Sequence, residues 1–213
     1  MPTRLILVRH GDSEHKADGT TGGPLSCKGL TEKGRWEAER LRDRWTREGW
    51  PVPATVYASV LPRAVQTAQI VTQAFAETRE VVQDCDFCSW HIPAEWDGQS
   101  WESVRAAFSL PGGGVYRPFE VGAESWAQLV GRVGRGLYGV AQRHHGQTVL
   151  VVSHKEAINA SLIVLGALPL MLPFDGEVAN TGITEWVTDG NPTVFPSPRW
   201  TLVRFNDAAH LTR

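Results

Sequence analysis

The sequence predicts an α/β fold, a mostly parallel central sheet with helices on both faces. Short unbroken aliphatic runs, LILV at 5–8 and TVLVV at 148–152, suit strands buried on both sides. Between the strands lie stretches whose apolar residues recur at helical spacing, and strands alternating with helices imply parallel pairing through crossovers.

The elements follow in order. After the strand at 5–8 comes a polar, glycine-rich loop to about Leu30, then LTEKGRWEAERLRDRWTREG, in which Ala38, Leu41 and Trp45 share one helical face. TVYAS at 55–59 reads as a second strand, and Pro62 suits the start of a helix whose stripe is Ala64, Ala68, Val71 and Phe75. REVVQDC at 79–85 reads as a third strand. A long helix follows Ser125, whose hydroxyl suits an N-cap, although its glycines lower its propensity. The strand at 148–152 is followed by a helix from about Glu156. TGITEWVT and RWTLVRFN close the chain as two strands around the turn-rich DGNPTVFPSP, one of them expected to be antiparallel.

At 213 residues, with no repeat or low-complexity tract, residues 1–213 fit a single domain. Residues 86–122 stand apart, with weak periodicity, a PGGG run and the tryptophans Trp90, Trp96 and Trp101. A connection of this length is expected to be a lid or substrate-binding insertion. The formal net charge of -2, with both signs dispersed, lacks the basic footprint of a nucleic-acid binder. The longest apolar tract, 160–174, is too short for a membrane span and is interrupted by Gly166, Pro169 and Pro173. Three cysteines and no apolar leader point to a cytoplasmic protein. No signal for oligomeric state is visible.

In open α/β sheets ligands sit beyond the carboxyl ends of the strands. There the first strand delivers Arg9 and His10, the second Ser59 and then Arg63, and the strand at 148–152 delivers Ser153 and His154. Two imidazoles among guanidinium groups suit a tetrahedral dianion gripped by paired hydrogen bonds, so a phosphate pocket is expected.

These segments resemble a known family. LVRHGDS is similar to the opening motif of the histidine phosphatase, or phosphoglycerate mutase-like, superfamily. GLTEKGRWEAERL, YASVLPRAVQTA, VLVVSHKEAI, VANTGITEW and FNDAAHL resemble its later motifs in register, over nearly the whole chain. The resemblance implies a phosphoglycerate mutase-like fold and a phosphomonoesterase acting on a small phosphorylated metabolite. His10 would be the nucleophile that becomes phosphohistidine, Arg9, Arg63 and His154 would bind the transferring group, and Ser13 would add a hydroxyl. It implies no metal and no cofactor. The alternative is a phosphoglycerate-type mutase, or a divergent member lacking the usual acid glutamate that binds a phospholigand or performs repurposed chemistry.

One departure bears on mechanism. Many members carry a glutamate after the third strand as proton donor, and that position here falls on Ser89 or Trp90. Asp86, Glu95, Asp97 and Glu156 are the candidate replacements. Lys16 stands where the family often has asparagine and is a candidate substrate contact, together with Ser89 and Trp90. Tyr116 and Arg117 are weaker candidates. His15, His144, His145 and His210 are expected to be structural or solvated. CDFCSWH contains C-x-x-C with a histidine three residues on; a fourth ligand is not evident, although Cys27 could approach, so a buried cysteine pair is expected there rather than zinc.

Overall fold

The computed structural model describes residues 1–77, 80–108, 115–118, 122–174 and 176–212. The elements are β1 (Thr3–Arg9), α1 (Glu14–Ala17), α2 (Glu32–Glu48), β2 (Thr55–Ala58), α3 (Pro62–Val71), β3 (Val81–Gln83), α4 (Trp101–Phe108), α5 (Trp126–Arg143), β4 (Thr148–Ser153), α6 (Lys155–Val164), β5 (Ile183–Thr188) and β6 (Thr201–Asp207). The sheet order is β3-β2-β4-β1-β5-β6. β1, β2, β3 and β4 pair in parallel, while β5 runs antiparallel to both β1 and β6.

The aliphatic run of β1 is continuous because both of its faces are covered. Leu5 and Leu7 pack into a cluster with Leu129, Val133 and Leu137 of α5 and Ile158 of α6. Ile6 and Val8 pack oppositely, with Leu41 and Trp45 of α2 and Ala64, Ala68 and Val71 of α3. Each large aliphatic side chain so buried contributes roughly 1.5–3 kcal/mol, so the central strands are fixed in depth and register.

The helices begin where the sequence supplies caps. The Thr31 hydroxyl accepts from the Gly34 amide at the head of α2, and Ser125 and Gln128 form a reciprocal capping box at α5. The third strand is shorter than the sequence suggests. The Asp84 carboxylate accepts the Asp86 amide at 2.9 Å and winds Cys85–Phe87 into a 3₁₀ turn. Two helices are absent from the periodicity reading, α1 in the glycine-rich loop and α4 inside 86–122. At α1 Lys16 and its neighbour Ala17 are exposed, so no apolar stripe marks the turn. No helix among the described residues is long and apolar enough to cross a membrane.

Candidate active site

The middle strands of the sheet end together. β1 and β4 pair Arg9 with Ser153, and β2 and β4 pair Ala58 with Val152, so Ser59, His154 and His10 leave three adjacent strands at one edge. The sheet bonding runs one step past the strands, with the His10 amide donating to Ser153 O at 2.9 Å and the Ser59 amide to Val152 O at 3.0 Å. Because β5 is antiparallel, its incoming chain reaches the same edge. The Asn180 side chain donates to His10 O at 2.9 Å, and Arg9 Nη1 donates to Val178 O.

The loop after β1 is bolted to the start of α2. The Asp12 amide donates to the buried Glu37 carboxylate at 2.8 Å, and the Thr31 hydroxyl donates to Asp12 Oδ2 at 3.0 Å. A Cβ at Gly11 would lie 2.4 Å from Gly34 O, and one at Gly34 would lie 2.0 Å from Asp12 O. Loop and helix therefore touch backbone to backbone, which only glycines allow.

His10 Nδ1 lies 2.6 Å from Gly11 O, an acceptor only, so this nitrogen carries the proton. Nε2 accepts from Arg63 Nε at 3.2 Å and keeps its lone pair. Burial, then the cations Arg63 and Arg9, hold the His10 pKa well below its usual value. A neutral imidazole with an unprotonated Nε2 is a nucleophile. Arg63 bridges onward: Nη2 lies 3.4 Å from His154 Nδ1, and Nη1 donates to Gly22 O at 2.6 Å. The two imidazole centroids are 5.0 Å apart. His154 is held neutral by burial and then by Arg63, and its Nε2 lies 2.8 Å from Ser59 Oγ. Among the described residues, Arg9 Nε and Ser13 Oγ are buried donors with no partner, which is costly unless an anion supplies the acceptor.

The sequence-predicted Arg9, His10, Arg63 and His154 thus come together, and Ser13 lies buried in the loop after β1. Among the four candidate acids the structure separates the roles. Asp97 accepts from the Gly23 amide at 2.8 Å, the Leu25 amide at 2.6 Å and the Ser26 hydroxyl. Burial raises its pKa, but these hydrogen bonds outweigh it and hold the carboxyl below its usual value, and they latch the 21–26 loop. Asp86 is committed to Arg135 at 2.8 Å, and Glu95 is exposed. Glu156 instead accepts from Ser89 Oγ at 3.0 Å. The side chain standing where a glutamate was expected therefore holds a glutamate from α6.

The other candidates disperse. Trp90 packs on Trp126 with centroids 5.8 Å apart, at the margin of the core, and Lys16 is exposed on α1. His210 bonds Thr181 Oγ1 at 2.8 Å, and His144 bonds the Tyr57 hydroxyl at 3.1 Å, both as structural groups. His15 is half-buried and its pKa falls to about 4, through burial and then Arg63. Cys27 meets Arg63 Nη1 at 3.3 Å rather than the other two cysteines. Of those, Cys88 is buried but Cys85 is exposed, so the expected buried pair is only half buried. Although the residue is exposed, partial desolvation of its sulfur, then the hydrogen bond to Cys88, pushes the Cys85 thiol up to about 12. Burial opposes ionisation of Cys88 as well, but hydrogen bonds from His91, Cys85 and Ser59 bring it below the usual thiol value.

Sequence reasoning did not assign Ser59, Thr67 or Asn180 a role. Thr67 Oγ1 accepts the Gly11 amide at 3.1 Å, and Ser59 and Asn180 position His154 and His10. Asn180 lies in VANTG, one of the matched segments, and Ser59 lies at a strand end; both positions were legible, their contacts were not.

The model of the histidine phosphatase superfamily (branch 1) matches residues 5–207. A metal-independent phosphoserine phosphatase of Arabidopsis thaliana is 27% identical, over 99% of this chain and 84% of its own. Phosphoserine phosphatase 1 of Hydrogenobacter thermophilus is 33% identical, over 76% of this chain and 75% of its own. Among solved structures, Bacillus stearothermophilus YhfR superposes with a TM-score of 0.81 at 26% identity, covering 98% of each chain.

Proposed function

The chain belongs to branch 1 of the histidine phosphatase superfamily, and from that premise we propose that it hydrolyses the phosphomonoester of a small metabolite through a phosphohistidine at His10. The observation that carries this is the tautomer of His10, with Nδ1 tied to Gly11 O and Nε2 unprotonated beside Arg63.

His10 Nε2 gives its lone pair to phosphorus, and the bond from phosphorus to the leaving oxygen breaks as that oxygen takes a proton. Arg9, Arg63, His154 and Ser13 hold the three non-bridging oxygens, stabilising charge as it spreads over them. Glu156, held by Ser89, is the proton donor to the leaving oxygen. In the second step water attacks phosphorus, the Glu156 carboxylate accepts its proton, and His10 is released with inorganic phosphate. The 86–122 segment, of which 109–114 and 119–121 lie outside the described residues, is the candidate lid; in support, Asp97 and the Thr20–Ser100 bridge tie it to the 20–26 loop beside Arg63. The matched phosphoserine phosphatases make phosphoserine the first substrate to try. Three free cysteines fit a cytoplasmic setting.

The test is phosphate release from a metabolite panel led by phosphoserine, comparing wild type with His10→Ala. His10→Ala should abolish release on every substrate that wild type hydrolyses, and rapid quenching of wild type should trap an acid-labile, base-stable phosphoprotein. Retention of most of the activity by His10→Ala would refute the covalent route.

A further inference from the structure

Outside the phosphate site, the 85–91 segment gathers Cys85 Sγ, Cys88 Sγ and His91 Nε2 within 4.8 Å of one another. We propose that these three side chains bind a thiophilic divalent cation of the zinc class, with water as the fourth ligand.

The donor set is the first argument. Two thiolates and an imidazole are soft and borderline ligands that select zinc-like ions over magnesium or calcium, and three protein ligands with an open fourth position are a recognised zinc arrangement. Among the described residues no fourth histidine, cysteine or carboxylate joins the cluster. The nearby carboxylates are otherwise engaged, Glu124 with Arg132 at 2.7 Å and Asp86 with Arg135 at 2.8 Å.

The support beneath the cluster is the second. Arg132, itself buried, donates to Cys85 O at 2.8 Å, Asp86 O at 3.1 Å, Cys88 O at 3.2 Å and Ser89 O at 3.0 Å. Glu124, paired with Arg132, accepts the His91 amide at 3.3 Å, so one ion pair fixes the backbone carrying all three ligands. Preorganisation of this kind lowers the ordering cost of binding.

The geometry is the third. The sulfurs stand 2.9 Å apart, and Cys85 Sγ is 3.3 Å from His91 Nε2. Across a tetrahedral zinc ion, with bonds of about 2.3 Å to sulfur and about 2.0 Å to nitrogen, these separations become roughly 3.8 and 3.5 Å. Cys85 and His91 are exposed, so rotation of their side chains admits the ion while the turn stays in place. Binding deprotonates both thiols: one dication enters, two protons leave, and no oxidation state changes. Cys88 also accepts from Ser59 Oγ at 3.4 Å, and Ser59 positions His154, so an ion here borders the active site without touching the transferring phosphate.

The experiment titrates Co²⁺, a zinc surrogate, into the full chain, reduced and stripped with chelator, and compares wild type with Cys85→Ser and His91→Ala. Wild type should bind one ion per chain with thiolate-to-cobalt charge-transfer absorption, and zinc should displace it. Affinity should fall by at least about 10–100-fold in each variant, the loss that even an outer partner of a metal ligand causes. The His91 side chain is exposed, so His91→Ala reports on ligation with the fold intact, which an unchanged urea midpoint of the metal-free protein confirms. Absence of the charge-transfer band, equal affinity in all three proteins, or metal-promoted loss of both thiols to a Cys85–Cys88 disulfide would each overturn the proposal.

Discussion

At the scale of single residues, the proposed acid is a test of the Ser89–Glu156 pair. Ser89 cannot donate a proton to an alkoxide, but it holds Glu156 at 3.0 Å on the first turn of α6. If Glu156 supplies that proton, Glu156→Gln should slow alkyl phosphates by about 10²–10⁴-fold, the usual worth of general acid catalysis, and slow a nitrophenyl phosphate far less, because nitrophenolate leaves without a proton. Single-turnover phosphorylation of His10 with both substrates reads this directly. Equal slowing of both leaving groups would remove Glu156 from the role.

At the scale of elements, α5 illustrates how a propensity cost becomes a packing requirement. Its glycines weaken the isolated helix, each by about 0.8–1.0 kcal/mol relative to alanine. A Cβ on Gly136 would lie 2.8 Å from the Asp86 Cβ and 3.0 Å from the Phe87 ring, so α5 can lie against the 85–87 turn only without that carbon. Gly136→Ala should therefore destabilise the fold by about 1–3 kcal/mol, as overpacking does, despite its gain in helix propensity. Urea unfolding measures this, and a stabilised variant would show that the turn yields freely. The Arg132–Glu124 pair secures the same junction from its other side, where both side chains are buried.

At the scale of the whole molecule, stability and pH are linked through buried imidazoles. His10 and His154 have pKa values well below the usual one, and those of His15 and His210 fall to about 4, in every case chiefly through burial. The unfolded chain protonates these groups near about pH 6.5, and the folded chain resists it. Between those values the unfolded state binds more protons, so stability rises with pH and is lost as pH falls from about 6.5 toward 4. Urea midpoints at pH 7.5, 6 and 5 should fall in that order; a flat series would mean that the histidines titrate alike in both states. The same architecture places two guanidinium groups and two neutral imidazoles about one phosphate site, so excess chelator should leave phosphate release intact. Strict dependence on added magnesium would contradict that arrangement.

The sequence by itself determined the sheet and the ends of its central strands, because burial on both faces requires aliphatic runs whose limits are readable. It also placed Arg9, His10 and His154 at those ends and Arg63 on the helix that follows one of them, since strand termini in parallel sheets share one rim. The short helices α1 and α4 escaped, because one or two turns give periodicity too little length to register. Only the tertiary structure showed which groups hold each candidate carboxylate. Ser89 and Glu156 are 67 positions apart, and Asp97 is turned away by amides 72 and 74 positions before it. Spacing along a chain reports which face a side chain takes on its own element. A hydrogen bond between elements depends on how they pack, and packing brings Arg63 to His10 Nε2 and Arg132 beneath the turn that carries Cys85 and Cys88.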